Sequence, residues 1–568
     1  MAKNDTRSQH SELDNANNTQ IMVSSSRDDN HLLTGRKLSI AFAAMLLALL
    51  LIALDQTILS TALPRIASDF NAFSQQGWVA ASFVLTQTTF ILFFSQVLRV
   101  YPAKYVLIAS VVIFEVGSAL CGAAQDVNTL IGGRALSGVG AAGILTGILQ
   151  VMAQATRLED RPTLFSLFES VFAFASIIGP LLGGALTDHA TWRWCFYINL
   201  PIGGVSIVAI VLLLDAPSPL GSENYDRSLK TMLWRTATLD WIGAALNLGA
   251  VTSLILGLQW GGNEKAWNGA EVITCLVLAL VLTAIFIFWE RYMGDRAMVP
   301  LAIFKRGLSI YSICSFAIFN RFIYLIFTYY IPIYYQAGRH HSATKSGVDL
   351  LPLMLSVVIS IVVSGQLVGR YGRYWPFLVG GPIVGSVGAG LMYTVTASAS
   401  NGAVIGYQIL VGNILFAMQA EFNDTPKLIS QATGMVNFCQ FFGGTIGLAI
   451  AEATFSSELV RNLRKYAPQA PFEAIQESPL SIYSAVSDAL VPNVVRAYVK
   501  TLSIVYIIGV PANAISLVFA LFISNINIKK KAETEMEAET NVPRGDDLPM
   551  ISDGQPPITE KLPSLQSS

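Results

Sequence analysis

Apolar residues in this chain come in long blocks, near positions 38–58, 77–98, 105–124, 129–153, 164–186, 195–215, 239–259, 270–289, 309–334, 346–368, 375–396, 403–421, 430–454 and 501–523. About 20 apolar residues of helix cross a bilayer core. The pattern therefore predicts about fourteen transmembrane helices and an all-α polytopic membrane protein. The polar stretches at the two ends lack the apolar core of a cleavable signal peptide and read as disordered cytosolic tails. The expected organisation is an N-tail 1–37, a six-helix bundle 38–215, a cytosolic linker 216–236, an inserted helix pair 237–290, a second six-helix bundle 291–524 that includes an outer loop 455–500, and a C-tail 525–568.

Charge assigns the sides. Arg36, Lys37, Arg99, Lys104, Arg157, Arg161, Arg235, Arg291, Arg370 and Arg373 fall between spans on one side, against Arg65, Arg193, Lys265, Arg339 and Lys345 in the short loops of the other. Positive residues stay inside, so both termini are expected in the cytosol. The long outer loop runs against this rule, with Arg461, Arg464, Lys465, Arg496 and Lys500. Its prolines separate amphipathic stretches that read as two or three small helices over the outer face.

Composition agrees with the blocks: 53% of the 568 residues are hydrophobic and 13% charged, where a soluble chain carries roughly 25% charged residues. A net charge of -1 gives no reason to expect nucleic acid. Cys121, Cys195, Cys275, Cys314 and Cys439 all lie inside apolar blocks, as small packing residues would, and indicate neither a disulfide framework nor a zinc site. His189, His340 and His341 lack metal-ligand spacing, and neither a phosphate-binding glycine loop nor H-E-x-x-H is present. No enzyme chemistry, cofactor or metal is expected. Lacking a nucleotide-binding domain, the protein is expected to draw its energy from a gradient.

Charges inside the blocks carry the candidate chemistry, because each costs at least about 2.5 kcal/mol at a helix centre. Arg134 in the fourth block keeps its charge and can tune a facing carboxylate. Asp55 in the first block and Glu115 in the third are the candidate proton sites, since burial and a nearby arginine push a carboxyl in opposite directions. Helix capping or bonding to polar partners is the alternative for Asp55. Glu169 near the start of the fifth block is a candidate interface residue. Arg321 lies in "FNRFIYLIFTYYIPIYYQ", where it either stacks on tyrosine in a cavity or snorkels outward. Phe327 and Tyr330 beside it suit a wall for a flat apolar ligand, although such aromatics also face lipid.

The stretch "GPLLGGALTDHATWRWCFYINLPIGG", Gly179 to Gly204, places Gly-Pro and a glycine pair inside an apolar block. In lipid, small residues let helix backbones approach closely, so Gly179, Gly183 and Gly184 form a smooth face and Pro180 permits a bend. Simple tight packing is the alternative. Trp192, Trp194 and Tyr197 are expected at the outer interface. A faint duplication pairs "SQVLRVYPAKY" (Ser95 to Tyr105) with "GQLVGRYGRYW" (Gly365 to Trp375), consistent with the parallel repeats of secondary transporters.

Taken together, "AxxxGPLLGG" with "TWRWCFYINLPIGG", "LDQTILSTALPRIASDF" (Leu54 to Phe70), "LIGGRALSGVGAAG" (Leu130 to Gly143), "YYIPIYYQA" and "QFFGGTIGLAI" resemble the fourteen-span drug:proton antiporter branch of the major facilitator superfamily, common in fungi. The resemblance runs from about residue 38 to 524. It implies the major facilitator fold and gives Gly179, Pro180, Gly183 and Gly184 the place of the fifth-span antiporter motif. Its inner-loop motif G-x-L-x-D-R-x-G-R is matched by Gly365, Arg370, Gly372 and Arg373, but Arg99 and Gly369 stand where the two copies carry an acid. The loop shape is expected to survive without the acidic latch. Gln440, heading "QFFGGTIGLAI", joins Glu169, Arg321, Phe327 and Tyr330 as expected cavity residues.

The function these features imply is proton-coupled efflux of small amphipathic organic compounds, such as drugs, fungicides or toxins, by a monomer in the plasma membrane. The vacuolar membrane is the alternative location. Proton-symport uptake of a nutrient or iron chelate, and a non-transporting membrane sensor, are the alternative functions. The absence of a P-E-S-P-R stretch after the sixth block favours export.

Overall fold

The computed structural model describes residues 35–70, 76–155, 161–216, 228–261, 265–299, 303–304, 307–412, 426–472, 475, 482–483 and 486–525. The expected tails and most of the linker 216–236 lie outside them. Among the described residues, thirteen helical stretches are long and apolar enough to cross a membrane. The one missing from the fourteen expected is the 403–421 block. Only its first part is described, as the helix Asn401–Val411.

The chain begins with α1 (Gly35–Asp69), α2 (Gln76–Val100), α3 (Ala103–Ala123), α4 (Val127–Ala155) and α5 (Arg161–His189). A one-turn helix, Trp194–Tyr197, then leads into α6 (Asn199–Leu213). A short amphipathic helix, α7 (Leu229–Ala237), precedes the hairpin of α8 (Trp241–Trp260) and α9 (Ala270–Met293). The remainder is α10 (Leu308–Ile333), α11 (Ala343–Asp349), α12 (Leu351–Tyr371), α13 (Trp375–Tyr393), α14 (Asn401–Val411), α15 (Pro426–Tyr466), α16 (Val491–Ile507) and α17 (Gly509–Leu521). The end of the bundle where α1 starts is called proximal below, and the opposite end distal.

Close backbone approach explains the pairing. A methyl group on Gly138 of α4 would overlap the carbonyl of Phe83 on α2, and one on Gly140 would overlap the backbone of Phe114 on α3. Thr86 reinforces the first contact by donating its hydroxyl to the Ala135 carbonyl at 2.8 Å. On the other side of the molecule, Gly443 and Gly447 of α15 leave the same kind of room for Ile318 and Phe322 of α10. Small residues work here because lipid supplies no apolar driving force between helices. Each set of helices keeps its own buried cluster, one around Met45, Phe83, Phe94 and Phe114, the other around Phe322, Phe327, Tyr334 and Tyr506. The two sets meet along α2 against α15 and α5 against α12, and the α8–α9 hairpin packs on α2 and α15.

Two expectations are corrected. The loop at 455–500 is shorter than predicted, because α15 continues unbroken to Tyr466 and α16 starts at Val491. Leu459 and Leu463 lie one turn apart and are buried against Val494, Ala497 and Tyr498, while Arg461 and Arg464 stay exposed. This amphipathic spacing carries helix past the apolar block. The tryptophans also divide. Trp194 is 53% exposed, whereas Trp192 is 4% exposed and donates its ring N–H to Asp69 at 3.0 Å. Arg193 stacks on Trp192 at 4.5 Å and donates to the Gly122 and Ala124 carbonyls at the end of α3, a favourable place for a cation. The polar turn therefore pins α1, α3 and α5 together and does not simply float at an interface.

Candidate functional site

Four helices of the first set bring their polar residues to one buried point. Asp55 of α1 and Arg134 of α4 form an ion pair between Asp55 Oδ2 and Arg134 Nη1, with both residues 2% exposed. The guanidinium is further fixed by donation from Nε to the Val79 carbonyl at 3.2 Å and by the Phe83 ring 4.4 Å below it. Asn199, the first residue of α6, donates to Asp55 Oδ1 at 3.4 Å and to Ser118 Oγ of α3 at 3.3 Å. One turn before Ser118, Glu115 lies near enough to Asp55 for their charges to interact. Its carboxyl occupies the space left by Gly203 of α6, and neither of its oxygens, both buried, has a hydrogen-bond donor.

Chemically, this is a buried arginine–aspartate pair with a second acid beside the aspartate. The pair compensates one negative charge, as a buried charge requires. Glu115 has no such compensation, so the neutral acid is the form that suits its surroundings. A proton arriving at Asp55 would loosen Arg134.

Asn199 was absent from the residues singled out in the sequence. Its signal was present as the one amide in the otherwise apolar "YINLPIGG", but only the fold shows that it reaches Asp55. Glu452 on α15, half-buried, is an intramembrane acid that the sequence reading passed over.

The antiporter-motif residues lie where two contacts converge. A side chain at Gly179 would overlap Thr57 of α1, whose hydroxyl donates to the Ala175 carbonyl at 2.9 Å. Pro180 meets Gly347 of α11. Gly183 is buried and Gly184 half-buried on α5. At the proximal end of α12, Gly365 is half-buried, Arg370 and Arg373 are exposed, and Gly372 ends the helix with φ 73°.

The expected cavity residues separate. Arg321 sits 4.9 Å over the Tyr324 ring and 5.5 Å from Phe441 of α15. Phe327 is fully buried and stacks on Tyr506 at 5.4 Å, and Tyr330, 5% exposed, packs on Phe455. Both belong to the interior of the second helix set. Their neighbour Tyr329 is 40% exposed and lies within charge range of both Arg134 and Arg321. One helical position rotates a side chain by about 100°, which accounts for the contrast. Gln440 is half-buried on α15. The side chain of Glu169 lies outside the described residues.

Comparison with known proteins agrees with this architecture. The family model of the Major Facilitator Superfamily matches residues 45–448. The MFS-type transporter phomT of Diaporthe leptostromiformis is 39% identical over 78% of this chain and 75% of its own length. The MFS-type efflux pump MFS1 of Trichophyton rubrum is 38% identical over 77% of this chain and 82% of its own. The MFS-type transporter astH of Aspergillus oryzae is 34% identical over 90% of this chain and 91% of its own. Among solved structures, a bacterial homologue of the human lysosomal transporter Spinster, inward-facing and unoccupied, superimposes with a TM-score of 0.54 at 12% identity, covering 86% of this chain and 98% of that one. With its helices, its buried polar centre and these relatives, the chain belongs to the Major Facilitator Superfamily and is a multi-pass membrane transporter.

Proposed function

We propose that this transporter exports small amphipathic organic compounds in exchange for protons, with its proximal end in the cytosol. The observation that carries the reading is the buried Asp55–Arg134 pair with the donorless Glu115 beside it. Such a centre is costly to bury, and proton binding gives it a use. Export as the direction draws support from relatives named efflux pumps and from the glycine-proline face of α5 against α1 and α11.

In the cycle this implies, protonation of Asp55 from outside frees Arg134 from its partner. The helices that the pair joins, α1 and α4, then regain freedom to shift, and substrate leaves from a cavity bordered by Tyr329 and Arg321. Energy suffices. One charge crossing 100 mV supplies about 2.3 kcal/mol and one pH unit about 1.4 kcal/mol. The sum sustains a substrate ratio of several hundredfold for one proton.

Half-buried Arg235 and exposed Arg291, Arg296, Arg370 and Arg373 at the proximal end support a cytosolic assignment, and the plasma membrane is the location that export requires. The test is accumulation of a lipophilic fluorescent dye in pump-deficient yeast. Cells carrying this protein should hold less dye, and both Asp55→Asn and a protonophore should abolish the difference. Higher dye than in control cells would instead indicate uptake. Export insensitive to both treatments would remove protons from the mechanism.

A further inference from the structure

The inner-loop acid expected on α2 is replaced by Arg99, yet the proximal ends of α2 and α15 are joined. The join runs through the α8–α9 hairpin and the segment that follows it. Gln96 of α2 donates to the Arg296 carbonyl at 3.3 Å and accepts from the Asp240 N–H at 3.2 Å. Gln431 of α15 donates to the Ala297 and Met298 carbonyls at 3.2 and 3.3 Å. Leu92, Met298 and Val299 fill the seam between them.

Two acids hold this wedge from behind. Asp240 caps α8 by accepting from Gly243 N–H at 2.7 Å and also accepts from the Trp289 ring N–H at 2.8 Å, both through Oδ1. Glu290, near the end of α9, accepts from Val299 N–H at 2.8 Å through Oε2. The residues are 2% and 4% exposed. Asp240 Oδ2 and Glu290 Oε1 have no donor, and the two carboxyls lie within reach of one another. Two carboxylates that close can bond only through a proton, and like charges at such range do not both ionise in a buried place.

The charged neighbours on the hairpin and on α15 leave the two carboxyls to each other. Arg291 on α9 and Arg296 on the segment are exposed, and α15 presents the neutral Gln431. Among the described residues, no ion pair reaches Asp240 or Glu290.

We propose that Asp240 and Glu290 form a second proton-binding site, separate from Asp55 and Glu115, in which one proton shared between Asp240 Oδ2 and Glu290 Oε1 keeps the proximal seam closed. When the proton passes to water, the acid pair becomes two carboxylates. Their repulsion, and the water each then needs, drive the 296–299 segment away from α2 and α15 and open the seam. The seam therefore opens as pH on that side rises. That this side is the cytosol rests on the proposed orientation, but the site itself does not.

The experiment is infrared pH-difference spectroscopy on full-length purified protein in lipid nanodiscs, with Asp55→Asn and Glu115→Gln in the parent to remove those carboxyls from the spectrum. It is paired with hydrogen exchange of residues 294–299, corrected for the intrinsic pH dependence of amide exchange. The parent should show a protonated carboxylic acid band that disappears as pH rises, with loss of protection in 294–299 over the same interval. Glu290→Gln, which keeps an oxygen for Val299 N–H, should lose the band and make protection independent of pH. Asp240→Asn, which keeps the cap, should do the same. A band unchanged in both variants, or protection in the parent that ignores pH, would overturn the proposal. Because no transport is measured, failure here leaves the export reading untouched, and the reverse also holds.

Discussion

The space left by the missing side chain of Gly203 on α6 is filled by the carboxyl of Glu115 from α3. Overpacking a filled site costs about 1–3 kcal/mol. Gly203→Ala should therefore lower the melting temperature of the purified protein and cut dye export to a small fraction, since Glu115 must leave its place. Its neighbour Gly204 meets nothing within 4 Å, so Gly204→Ala should change neither measurement.

The Asp55–Arg134 pair predicts an asymmetry between single and double variants. Arg134→Gln strands a buried carboxylate, and losing one partner of a buried pair costs about 3–5 kcal/mol. Asp55→Asn strands the guanidinium instead. The double variant Asp55→Asn with Arg134→Gln should regain most of the thermal stability and none of the transport. Thermal unfolding followed by intrinsic fluorescence, alongside dye export, separates the two effects.

Asn199 links the pair to α3 through Ser118 and to Asp55 directly. A hydrogen bond to a charged group contributes about 1.5–3 kcal/mol. Asn199→Leu should slow export by roughly tenfold or more and shift its pH profile, whereas a residue that only packed would leave the profile in place.

At the distal start of α4, outside the spans, Asp126 accepts from the Thr129 N–H at 2.9 Å and from the Thr129 hydroxyl at 2.7 Å. The backbone bond first, and the hydroxyl second, hold its carboxyl below the usual carboxylate range. A group with a lowered folded-state value contributes stability above its unfolded value and loses it as pH falls through the folded one. Asp126→Ala should thus lower the melting temperature at neutral pH. The gap from the wild type should close on acidification below the carboxylate range.

Gly372 ends α12 in the left-handed region at φ 73°, with its N–H on the Val368 carbonyl at 2.7 Å. A residue with a side chain is strained there by about 1–2 kcal/mol. Gly372→Ala should destabilise by that amount and Gly372→Asn by less, measured again by thermal unfolding.

Much of this protein was written in local sequence. Blocks of about twenty apolar residues can only be satisfied in lipid as helices, because every backbone polar group must find its partner within the segment. That alone determined the fold class, and the cost of intramembrane charge singled out Asp55, Glu115 and Arg134. The ends of helices were less legible. The extension of α15 to Tyr466 depends on Leu459 and Leu463 finding Val494 and Tyr498, partners some thirty residues away.

Pairing and facing were decided by tertiary structure. Asp55 and Arg134 lie 79 positions apart, and Asp240 and Glu290 are brought together only by the α8–α9 hairpin. Phe327, Tyr329 and Tyr330 are alike in composition, yet two are buried and one is open, because helix rotation is set by what each helix packs against. Sequence sets the cost of placing a charge or a glycine in the membrane. Only the packed helices determine which neighbour offsets that cost.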